Sequence, residues 1–152
     1  MVKGFTKFKE RFQGFENQYV IIGGTACDLI MENEELPFRA TKDIYRIPVL
    51  SPTCLIPFKA KAWLDLTERK LNGEQIDSKN IKKHKNDVFR LAQLITANTR
   101  QLLSPEIEKD MKEFLFKITD ETVDLKSLGI RGTDKQKMID MLYLCYNLND
   151  NT

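Results

Sequence analysis

The chain has 152 residues, 41% of them hydrophobic and 9% aromatic, enough apolar material to bury one compact core and too much for a disordered segment. Its 24 basic and 22 acidic residues leave a formal net charge of +2, so bulk charge argues for neither nucleic acid nor an acidic membrane, and any basic surface must be local. No apolar run approaches the ~20 residues needed to cross a bilayer, and Met1 to Lys9 lacks the apolar centre of a signal peptide, so a cytoplasmic protein with no membrane partner is expected.

Phe5, Phe8, Phe12 and Phe15 recur at three- and four-residue spacing, which predicts an amphipathic first helix whose aromatic stripe is core. YVII, Tyr19 to Ile22, reads as a short strand ended by Gly23-Gly24. A helix follows from Thr25 to about Glu35, with Ala26, Leu29 and Ile30 inward, and DIYRIPVL (Asp43 to Leu50) reads as one or two short strands broken at Pro48. Ser51-Pro52 has the form of an N-cap with proline at the first helical position, Pro57 predicts a break or kink, and a long helix is expected from about Phe58 to Asn72, stopped by Gly73. The next begins near Asp77-Ser78 and runs to about Ile95, with Ile81, Val88, Leu91, Ala92 and Ile95 inward. Ser104-Pro105 starts another, carrying Ile107, Met111, Phe114, Leu115 and Ile118. The last begins at Thr133, where TDKQ has the spacing of a capping box before MIDMLYLCYNL. These elements predict an α+β fold, mostly helical, with a small sheet in residues 1–50 and a helical region over 51–152 packed with it as one domain. Cys27, Cys54 and Cys145 are odd in number, far apart and set among apolar neighbours, which fits reduced thiols better than disulfides or a zinc site.

The strand, double glycine and helix start at YVIIGGTACDLI have two readings. One is a tight strand-to-helix turn. The other is a phosphate cradle, because glycines let backbone N–H groups approach a ligand, the helix N-terminus favours an anion and Thr25 adds a hydroxyl. About twenty residues on, RATKDI places Asp43 at the start of a predicted strand, where a carboxylate can hold Mg²⁺ against phosphates.

GGTACDLI, then LPFRATKDI, LIPFKAKAWLDLTERK and IKKHKNDVFRL, together resemble the nucleotidyltransferase superfamily, and within it the AbiEii/AbiGii toxin-like family. The resemblance covers roughly Phe15 to Leu94. It implies a nucleotidyltransferase-like fold with a C-terminal helical bundle, and Mg²⁺-dependent transfer of a nucleoside monophosphate from NTP to an acceptor. Gly23, Gly24 and Thr25 would hold the triphosphate and Asp43 a metal ion. Lys59 would contact nucleotide phosphates, Lys85 would lie on phosphate, and Asp87 would orient Lys85. An antitoxin, or an acceptor RNA or protein, would be a partner.

The family carries a second aspartate two residues after the first, since two metal ions need several oxygen ligands from alternate strand positions. Here that position is Tyr45, neutral at pH 7. The family's further strands are also missing between Ile44 and Tyr45, so the chain as written is expected to be impaired in transfer. An alternative is a non-catalytic helical module that binds a partner or forms a homo-oligomer, and another is nucleic-acid binding through Lys79 to Arg90. His84 is the only histidine, which excludes a histidine metal cluster and reads as a hydrogen-bonded core residue.

Overall fold

A computed structural model gives the arrangement of residues 4–35 and 48–148. Those residues are mostly helical: α1 (Phe5–Arg11), α2 (Gly23–Glu35), α3 (Pro52–Leu71), α4 (Ser78–Ala92), α5 (Pro105–Thr119) and α6 (Lys135–Cys145). In place of a sheet, the described residues hold one parallel bridge, in which Ile21 N–H donates to Pro48 O at 2.8 Å and Leu50 N–H to Ile21 O at 3.0 Å. Tyr19, Val20 and Ile22 form no strand, so the expected YVII strand is reduced to the one bridging residue Ile21, while residues 43–47 of the second stretch, including Asp43 and Tyr45, lie outside the described residues.

The long helix α3 is the hub. It packs on α4 and α5 and meets α2 near its N-terminal half. Leu55, Ile56, Ala60, Trp63 and Leu64 recur on one face of α3 and are buried, as an apolar stripe at helical period requires. Trp63 meets Phe114 of α5 edge-to-face with ring centroids 5.4 Å apart. Val88, Phe89, Leu91 and Ala92 of α4, Met111, Leu115 and Ile118 of α5, and Met138, Ile139 and Leu142 of α6 complete one core that Ala26 and Cys27 of α2 join.

α3 begins at Pro52 with Ser51 at the N-cap position, as Ser51-Pro52 predicts, and the predicted break at Pro57 does not occur, so one helix runs through where a new start at Phe58 was expected. A proline inside a helix cannot donate to the carbonyl four residues back, which here is Thr53. The Tyr146 hydroxyl donates to Thr53 O at 2.8 Å, so the carbonyl deprived by Pro57 is satisfied from the end of α6. Helix ends elsewhere follow local chemistry. Asp77 accepts from Lys79 N–H at 2.9 Å to cap α4. Gly73, at φ +90°, closes α3 as expected, with Glu74 N–H donating to Arg69 O at 3.0 Å. At α6 the cap is Asp134 rather than Thr133, accepting from Lys137 N–H at 2.9 Å.

The phenylalanine stripe of α1 departs from its expected role. Phe5 is buried, but Phe12 and Phe15 are 41% and 49% exposed. Phe8 and Phe12 stack on each other at 4.7 Å and both meet the Tyr19 ring edge-on, a satellite cluster beside the main core. Ile107, expected inward on α5, is exposed at the rim of an apolar groove of about 380 Å³ between α3 and the segment before α5.

Candidate functional site

The first turn of α2, residue Lys59 of α3 and one face of α4 converge. Gly23 has φ +71°, a conformation side chains resist, so the turn itself requires the first glycine of the pair. Gly24 has no such requirement: a methyl group there would meet Lys83 Nζ of α4 at 3.7 Å, an ordinary contact. One turn into α2, Cys27 is buried, and its thiol is pushed up to about 11 by burial first and by the Asp87 charge second. It therefore stays protonated at neutral pH and is no nucleophile.

Lys59 and Asp87 form the floor of this junction. Lys59 Nζ donates to Asp87 Oδ2 at 2.6 Å, with both side chains only 4% exposed. The sequence places them there for separable reasons. Lys59 falls four residues before Trp63 on the inward face of α3, and Asp87 precedes Val88 and Phe89 on the inward face of α4. Neither charge could be buried alone, since an isolated ion in a protein interior is strongly disfavoured.

On α4, Lys83 and His84 stand four and three residues before Asp87, the separations that share a helix face. Lys83 makes no hydrogen bond or ion pair among the described residues. His84 is half-buried, and its Nδ1 is buried without a hydrogen-bond partner among the described residues, so the expected hydrogen-bonded core histidine is not what this residue is. Burial holds its pKa below the usual histidine value, helped by Lys59 and Lys83 and opposed by Asp87.

Lys85 does not join this group. Its Nζ donates to Glu121 Oε2 at 2.7 Å and to Thr122 O at 2.9 Å, on the opposite side of α4. Lys135 donates to Thr119 O at 2.6 Å and Glu121 O at 2.8 Å, so two ammonium groups cover the carbonyls left unpaired beyond the end of α5. The expected pairing of Lys85 with Asp87 is corrected accordingly: positions two apart on a helix point away from each other, and Asp87 is taken by Lys59. Thus the fold pairs Lys59 with Asp87, brings Lys83 rather than Lys85 near Gly24, and turns Thr25 the other way, to a hollow it lines with Phe5, Phe8 and Tyr19. Asp43 lies outside the described residues.

The described residues do not form a site for the expected Mg²⁺. They contain no group of three or more histidine, cysteine or acidic side chains able to hold a metal ion, and the Asp87 carboxylate is already committed to Lys59. A divalent ion with hard oxygen ligands would need carboxylates from elsewhere.

Comparison with protein-family models, with curated proteins and with solved structures finds no match to this chain.

Proposed function

We propose that the protein binds the triphosphate of a nucleoside triphosphate at the start of α2, as a nucleotidyltransferase-like protein of the AbiEii toxin type whose transfer step is impaired. The observation that carries this reading is the meeting of the Gly23-Gly24 turn with Lys83, backed by the buried Lys59–Asp87 pair. Backbone N–H groups at a helix start and a nearby ammonium are complementary to an anion. Burying an ion pair brings little net stability, so its retention is easier to understand at a working site than in a purely architectural core. Tyr45, where the resemblance calls for a second acidic residue, is the reason for proposing binding without efficient transfer. The truncated sheet and the nucleotidyltransferase fold belong to the same proposal.

Titration calorimetry with each NTP tests it, alongside transfer of label from NTP to RNA or protein in the presence of Mg²⁺. Saturable binding with negligible transfer is the expected result. Absence of binding by every NTP defeats the proposal, and robust transfer defeats the claim of impairment.

A second reading is a helical interaction module, and one observation favours it. Phe58 and Leu102, 62% and 86% exposed, border the apolar groove beside α3, and exposed apolar side chains gathered at one groove mark interaction surfaces more often than chance.

A further inference from the structure

We propose that the open edge of the Tyr19–Ile22 segment receives an extended segment of another protein, an apolar peptide strand with an acidic residue, lying between that edge and α1. The proposal is independent of the triphosphate reading and concerns a different surface from the groove beside α3.

Backbone hydrogen bonding carries it. Ile21 commits both its N–H and its C=O to the 48–50 segment. Along an extended chain successive residues present these groups to opposite sides, and Tyr19 is extended, at φ −144° and ψ 162°. Val20 therefore presents its N–H and C=O to the other side, where neither has a hydrogen-bond partner among the described residues. The side chains alternate in step: Ile21 packs against the core, whereas Val20 and Ile22 are 50% and 58% exposed. Open edges are ordinarily protected by charged residues or proline, and YVII holds neither.

Beside this edge lies a hollow of about 480 Å³, with Phe5 and Phe8 of α1 on one wall and Tyr19 to Ile22 on the other. A strand added in such a trough bonds through its backbone to the edge while alternate side chains fill the apolar space. The described residues that line the hollow include no charged side chain, so the body of the guest is apolar. Charge at the margin is positive: Lys9 Nζ stands 5.7 Å from the centroid of the Phe5 ring and has no ion pair among the described residues. A carboxylate on the guest complements it.

The probe is a displayed library of random octapeptides, selected on the whole chain, with the selected peptides then synthesised and their affinities measured. Val20→Pro removes the free N–H, leaves the Ile21 bonds in place, and follows a residue already in the extended conformation that proline requires of its predecessor. Val20→Thr keeps both the N–H and the branched shape. The selected peptides should alternate apolar residues and carry Asp or Glu. They should bind wild type and Val20→Thr alike, and Val20→Pro roughly tenfold more weakly or worse. N-methylation at alternate peptide residues on the bonding edge should abolish binding, and at the residues between them should not. That pattern decides the matter even where Val20→Pro lowers stability, because it alters only the peptide. A selection that yields no binder, or binders indifferent to the position of N-methylation, overturns the proposal. So does sedimentation showing a wild-type dimer that Val20→Pro converts to monomer, which assigns the edge to a second copy of the chain instead.

Discussion

Breaking the Lys59–Asp87 pair from one side should be among the most destabilising changes available in this protein, whereas removing both partners should not be. At 2.6 Å and an effective dielectric constant of roughly 20, the attraction is on the order of 6 kcal/mol. Burial offsets it, at several kcal/mol of lost hydration for each ion, so the pair as a whole contributes little. Lys59→Met leaves Asp87 buried without its partner, and Asp87→Leu does the same to Lys59. Each single variant should lose about 3–5 kcal/mol, a large part of the roughly 5–15 kcal/mol that holds a typical domain together. The double variant should fall within about 1 kcal/mol of wild type or exceed it. Urea denaturation of the four proteins, with slopes checked for constancy, gives the coupling energy directly. Single variants that each cost less than about 1 kcal/mol would refute the reasoning, because that is the behaviour of a solvent-exposed pair. The double variant also separates architecture from function: if the pair serves the ligand, a stable double variant fails to bind NTP.

Two further outcomes can be checked in the same way. Tyr146→Phe removes the donor that satisfies Thr53 O and should cost about 1–2 kcal/mol; in a Pro57→Ala background, where residue 57 regains its own N–H, the loss should shrink, and equal losses in both backgrounds would contradict the account of how α3 tolerates Pro57. His84 has a pKa below its unfolded value, so the unfolded chain takes up the proton first: the stability contribution is full above about pH 6.5 and is lost as pH falls through that value. Thermal melts between pH 5 and 8 should therefore show a shallower acid-side decline in His84→Asn than in wild type, and parallel curves would show that the ring titrates normally.

The positions of the later helices were legible because their signals are local. Asp77 caps α4 by a bond to a residue two away, and Gly73 supplies a left-handed conformation that most side chains resist. Lys59 could be singled out because a lysine on an apolar face, four residues before Trp63, stands out against the periodicity. What escaped was set by partners distant in sequence. The hydroxyl that lets α3 run through Pro57 comes from 93 residues away, so the local rule broke the helix at Pro57 although Ser51-Pro52 had marked its start. The aromatic stripe of α1 was visible as a face, but periodicity says nothing of which surface that face meets, and Tyr19 rather than the main core met it.

The lysines of IKKHKNDVFRL show the same limit at the site itself. Spacing places Lys85 on the inward side of α4, and it is indeed buried. Inward, however, covers a wide arc of a helix that α2, α3, α6 and the segment after α5 all approach. Within that arc, Asp87 is directed to α3 and Lys85 to Glu121, a residue 36 positions on with no sequence mark to distinguish it. Lys83, which spacing does not separate from its neighbours Lys82 and Lys85, is the lysine whose Nζ lies 3.7 Å from the position a methyl group would take on Gly24. Which lysine of such a cluster comes near the start of α2 is thus set by where the neighbouring helix ends, and spacing along α4 carries no trace of it.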